Sequence, residues 1–127
     1  MNKPFIIFLF TLFATVSLQA KSKDGVYIFG ASISFSDSIV YFTEIQYLDS
    51  VKLEKDTRFL PSRQHYAYEL KDFMSFSKNL PGRTSVIYFS KKESKLQKKE
   101  AKLKKRLTKK QGKVVRYLGN QFQFTKP

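Results

Sequence analysis

Between Lys91 and Gln111 the chain offers only three large apolar side chains, Leu96, Leu103 and Leu107, and it surrounds them with eleven lysines and arginines. At about 100° per residue the three leucines fall in a stripe about 40° wide. Such a segment can be ordered only as a helix that rests one narrow face on another element and gives the rest of its surface to water. What flanks it decides what that element is. Upstream, Val86, Ile87, Tyr88 and Phe89 are adjacent, the mark of a short strand buried on both faces, over residues 84–90. Downstream, Gly112 stands where a left-handed terminating residue is wanted, and residues 114–118 resume a β-branched run. The second half therefore reads strand, helix, strand.

The first half follows the same logic. Odd positions Tyr27, Phe29, Ala31, Ile33 and Phe35 are apolar, while Gly30, Ser32 and Ser34 lighten the even ones, so residues 27–35 predict a strand with one core face and one wet face. Ser36-Asp37-Ser38 supplies a turn, with short side chains able to bond their own backbone. Residues 39–48 then predict a second strand, apolar on both faces and so more central than the first. Tyr66, Leu70, Phe73, Met74 and Ser77 recur at helical spacing and predict a helix over residues 61–78, opened by Pro61 and closed by Asn79-Leu80-Pro81-Gly82. Gly119-Asn120 either turns Phe122 and Phe124 back as a short final strand or marks a bulge.

The fold class expected is α/β: a single small two-layer sandwich of order β-β-α-β-α-β, with both helices on one face. Right-handed crossovers through the helices would set the second, third and fourth strands running the same way.

Residues 1–20 predict a cleaved export signal. Lys3 supplies the positive start, an apolar run extends from Phe5 to Val16, and Ser17-Leu18-Gln19-Ala20 makes a small-residue exit. That run falls short of the ~20 residues a spanning helix needs, so no membrane span is expected once the leader is gone. Residues 21–127 then form the single domain, exported to the periplasm or the exterior. With no cysteine in the chain, disulfides, thiolate metal sites and a cysteine nucleophile are excluded. Stability has to come from packing, for which the aromatic residues supply most of the area.

The formal net charge is +14, and residues 91–113 alone hold twelve Lys or Arg against Glu93 and Glu100. On a helical wheel Lys91, Lys92, Lys95, Lys98, Lys99, Lys102, Lys105, Arg106, Lys109 and Lys110 fill one arc about 140° wide. Lys104 falls outside it. Six like-charge pairs stand four apart on this helix, at a net cost of about 1 to 2.5 kcal/mol at low salt. An anionic surface would relieve that repulsion, which makes the arc a candidate binding surface for an anionic envelope lipid or glycan, or for an acidic protein. Cytosolic nucleic acid is excluded by the address, and the arc lacks the interleaved aromatics that stack single-stranded bases.

For chemistry the material is thin. His65 is the only histidine, so acid–base work at neutral pH would pass through it or through a shifted carboxylate among Asp37, Glu44, Asp49, Glu69 and Asp72. No spacing among these is diagnostic, and no cofactor or metal is expected. Tyr68 and Phe76 lie off the helix stripe and, with Phe59 from the connection before it, could form a protein-binding patch.

The run from Phe35 through Gln46, the later Val86-Ile87-Tyr88-Phe89-Ser90 and the lysine-rich helix that follows together resemble small exported proteins of Bacteroides-type bacteria that have no assigned activity. The resemblance implies an exported single domain and carries no catalytic residues. The function expected is a non-enzymatic binding or structural module, with a small secreted hydrolase or nuclease using His65 or a carboxylate pair as the alternative.

Overall fold

The computed structural model describes residues 24–127, so the expected export signal lies outside the described residues. The elements in order are β1 (Gly25–Ile33), β2 (Ile39–Phe42), β3 (Gln46–Asp49), α1 (Arg63–Asp72), β4 (Thr84–Ser90), α2 (Glu93–Lys105) and β5 (Val114–Tyr117). Each helix is prolonged by one wider turn, Phe73–Ser77 after α1 and Arg106–Lys110 after α2. The class is α/β, a mixed five-stranded sheet with two helices.

β1 is the axis of the sheet. Along one edge it pairs antiparallel with β4, from Tyr27 opposite Ser90 to Ile33 opposite Thr84. Its other edge is shared: Gly25 to Ile28 face β3, and Ala31 and Ser32 face β2. β5 then lies parallel to β2. Hence β2, β4 and β5 run one way and β1 the other, as expected for the strands that enter and leave the helices.

The second predicted strand, residues 39–48, is interrupted at Thr43-Glu44-Ile45, and a side chain causes the break. Gly30 N–H donates to the Thr43 hydroxyl at 2.9 Å instead of to a carbonyl, while Thr43 N–H donates to Gly30 O at 2.9 Å. The pairing continues through the hydroxyl, and the extra backbone length bends the strand into two halves.

The two-layer expectation is corrected. Val26, Ile28, Leu48 and Ile87 pack with Tyr66, Leu70 and Met74 of α1 in one core. Phe29, Ala31, Val40 and Phe42 pack with Leu96, Leu103 and Leu107 of α2 in another. Alternate residues of a strand point to opposite faces, so the helices sit on opposite sides of the sheet and the domain has three layers. The small even residues of β1, whose pattern predicts a wet face, instead serve close approach. A Cβ on Gly30 would stand 2.7 Å from the Leu70 side chain and 3.2 Å from both Ile87 and Phe124. Ser32 is fully buried. β1 is therefore no less central than the second strand, of which only residues 39–42 lie between two neighbours, and Phe35, which the alternation places on its core face, is 98% exposed beyond its end.

Ser32 is satisfied by Arg83, a buried cation that nothing in its local sequence marks. Its guanidinium donates to Ser32 Oγ and Ser32 O at 3.0 Å each, to Asp37 Oδ2 at 3.0 Å and to the Ile39 carbonyl, and it lies 5.1 Å from the centroid of the Tyr41 ring. The far carboxylate oxygen of Asp37 accepts from Ile39 N–H at 3.0 Å, the turn bond expected of it. One side chain thus fastens the start of β4 to the β1–β2 hairpin.

Phe122 and Phe124 make no ladder. The Gln46 side-chain amide takes the place of a strand, donating to Phe122 O at 3.1 Å and accepting from Phe124 N–H at 2.7 Å. Both rings are buried, edge to face, with centroids 4.8 Å apart.

Gly30→Ala is expected to destabilise the fold by about 1–3 kcal/mol, because the added methyl overpacks the α1 interface. Intrinsic strand preference alone predicts the opposite sign, so the midpoint of urea unfolding separates the two. Arg83→Lys is expected to cost about 2 kcal/mol or more, since one ammonium cannot reproduce the planar fork and leaves buried acceptors unpaired. The same titration checks it, with Lys71→Arg on the exposed face of α1 as the unaffected control.

Candidate anion-binding face

α2 begins where β4 ends. Ser90 Oγ accepts from Lys92 N–H at 3.2 Å, Glu93 lies in the first turn, and Lys102, Lys104 and Lys105 lie in the last. Acid at the N-terminus and base at the C-terminus both complement the helix dipole. The helix closes on Gly112, whose φ of +65° is the left-handed conformation expected, with Lys113 N–H reaching back to Leu107 O at 2.9 Å. Leu96, Leu103 and Leu107 are buried as the wheel requires.

All ten residues of the predicted arc, Lys91, Lys92, Lys95, Lys98, Lys99, Lys102, Lys105, Arg106, Lys109 and Lys110, are exposed. Among the described residues the salt bridges are Lys52 to Asp24, His65 to Glu69, Arg83 to Asp37 and Lys126 to Asp49. None involves the arc.

The two flanks of α2 face different surroundings. Towards β5 lies Glu100, half-buried, with Lys104 Nζ 5.1 Å from the centroid of the Tyr117 ring. Burial raises the Glu100 carboxyl above the usual carboxylate range, the Glu44 charge raises it further, and Lys104 opposes both. Burial, then Glu100 and Glu44, likewise raise the Tyr117 hydroxyl. Lys104, the one cation off the arc, is thus the one placed against this acidic flank.

Towards β4 lies a cleft of about 700 Å³. Its floor is Tyr88 and Leu103, and its rim is six cations, Lys99, Lys102, Lys105, Arg106, Lys109 and Lys110. Tyr88 is stacked on Phe29, with centroids 4.9 Å apart and planes 15° from parallel, so its ring is held in place. Lys91, Lys92, Lys95 and Lys98 lie outside the cleft. Tyr88 is not among the cations of the predicted arc, because a continuous apolar run over residues 84–90 predicts burial on both faces. β4 is an edge strand that α2 only partly covers, and Val86 and Tyr88 on that side are half-buried. The signal was available in the width of the leucine stripe: three leucines cannot cover a whole sheet face.

The candidate chemical groups are distributed elsewhere. His65 Nε2–H donates to Thr125 O at 2.6 Å. Glu69 accepts from Thr125 N–H at 2.9 Å and from the Thr125 hydroxyl, and lies 3.9 Å from His65. Lys126 binds Asp49 at 3.0 Å. These contacts strap the segment 122–126 across α1 and β3. Asp37 belongs to Arg83, Glu44 to the surroundings of Glu100, and Asp72 is exposed. Among the described residues no group of three or more His, Cys, Asp or Glu is placed to hold a metal ion, and no helix is long and apolar enough to cross a membrane. Phe59, Tyr68 and Phe76 are exposed, at 59%, 58% and 83%.

Comparison with family models, with curated proteins and with solved structures gives no match.

Glu100 supplies a pH test. Its raised pKa means that the folded state holds this proton more tightly than the unfolded chain, so its contribution to stability falls as pH rises through and above the carboxylate range. Glu100→Gln is therefore expected to raise the melting temperature at pH 7, and the gain should disappear at acid pH where the wild-type carboxyl is already neutral. Melting curves between pH 3 and 8, roughly the span over which a raised carboxylate titrates, measure both ends.

Proposed function

We propose that the protein is a non-enzymatic exported module that docks on an anionic component of the cell envelope through the basic face of α2. The observation that carries the reading is the exposed arc of ten cations with no carboxylate partner among the described residues. A solvated helix made basic for solubility alone has no need to gather its charge on one side, at a cost of about 1 to 2.5 kcal/mol in like-charge pairs. An anionic surface turns that cost into binding, because each cation that meets a phosphate or carboxylate is also relieved of its neighbour. The export signal expected at residues 1–20 and the resemblance to small exported Bacteroides-type proteins both point to an envelope setting. The hydrolase or nuclease alternative has less support, since His65 and Glu69 are engaged by Thr125.

The test is retention of the mature chain on vesicles of phosphatidylglycerol against vesicles of phosphatidylcholine, across a salt series. Retention on the anionic vesicles is expected to be strong at low salt and to fall steeply as salt rises. The variant carrying Lys98→Gln, Lys102→Gln, Lys105→Gln and Lys109→Gln is expected to lose most of it. It should also gain about 0.5–1.5 kcal/mol of stability at low salt, because three of the six like-charge pairs disappear. Equal retention of wild type on both vesicles, or an unaltered variant, sinks the proposal.

A further inference from the structure

The cleft between α2 and β4 is chemically unlike the rest of the basic face. Outside it, Lys91, Lys92, Lys95 and Lys98 are exposed and line no part of the cleft. Inside it, six cations surround carbon: the ring of Tyr88, the side chain of Leu103 and the aliphatic stems of the lysines themselves. A flat polyanion needs only the charges, and a bare phosphate gains nothing from the floor. The two features together call for a ligand with both parts, a compact anionic head and an apolar portion next to it.

We infer that this cleft is a lipid site, taking the phosphate head of an anionic envelope lipid among its rim cations and the first carbons of an acyl chain against Tyr88 and Leu103. The inference rests on the docking reading above and narrows it from any envelope anion to a phosphorylated lipid. Three observations support the fit. The rim carries six positive groups and the cleft lining holds no Asp or Glu, so a phosphate is complemented and not opposed. The volume of about 700 Å³ is that of a small-molecule site and suits a head group with part of a chain. The floor is preformed, since Tyr88 is already stacked on Phe29 and Leu103 is anchored in the core beneath α2. Charge and apolar burial are also the two signals that must combine for stable attachment to a bilayer, and here they occur at one place on the surface.

The probe is decyl phosphate, used below its micelle concentration, against inorganic phosphate, glucose 1-phosphate and neutral decyl maltoside. Binding is followed by NMR on the Tyr88 ring and the Leu103 methyls of the otherwise unaltered protein. Decyl phosphate is expected to bind at least about tenfold more tightly than inorganic phosphate, the gain from burying as few as about two methylene groups, and to shift both floor residues. Lys102→Gln with Arg106→Gln should weaken it, whereas Lys91→Gln with Lys95→Gln should not. Equal affinity for decyl phosphate and inorganic phosphate overturns the lipid site, as does equal affinity for glucose 1-phosphate, which would assign the floor to a sugar ring. In either case retention on anionic vesicles shows whether the broader docking reading survives, since that measurement does not depend on the floor.

Discussion

β1 is bonded along both edges and buried on both faces, and the other layers take their positions from it. Val26 and Ile28 point into the core beneath α1, while Phe29 and Ala31 point into the core beneath α2. Between them Gly30 removes the one side chain that would hold α1 away. Its amide and carbonyl are both taken by Thr43 across the strand, so the residue that admits the helix also fixes the bend between β2 and β3. Two cores share this strand, which leaves little of it free to adapt to a change on either side.

The same bonding decides how the far edge of the sheet is finished. Because Gly30 turns both polar groups towards Thr43, its partner Ile87 turns its own towards the open side of β4. An exposed edge of this kind invites another strand. Here Arg63 from α1 donates to Ile87 O at 3.2 Å and lies 5.8 Å from the centroid of the Phe89 ring, so a cation sits where an incoming strand would pair. The opposite side of the sheet is closed by side chains too, with Gln46 standing in for a strand beside Phe122 and Phe124.

α2 depends on this frame for its polarity. Its leucine stripe seats it on one face of the sheet, its Glu100 flank turns towards β5, and its cationic flank turns over the edge of β4. The asymmetry that is only a pattern on a helical wheel becomes a cleft because β4 projects beyond the helix and offers Tyr88 as a floor. The strap from Thr125 to His65 and Glu69 gives the remaining acid–base candidates a structural task on the opposite face of the sheet.

Local pattern was enough to read the α/β class, the two helices, the strand of residues 84–90, the left-handed stop at Gly112 and the exposure of all ten cations. Each follows from periodicity or backbone preference within a few residues. The layer count, the centrality of β1, the break at Thr43, the burial of Arg83 and the cleft itself came only with tertiary structure. Small residues in a strand read the same whether water or a helix lies above them, and a lone arginine before a strand reads as solvated until its acceptors are brought from fifty residues away. Sequence alone determined which side of α2 would be charged. Only the packing of α2 against an edge strand decided that part of that charge would surround carbon, because the floor and the rim come from different elements.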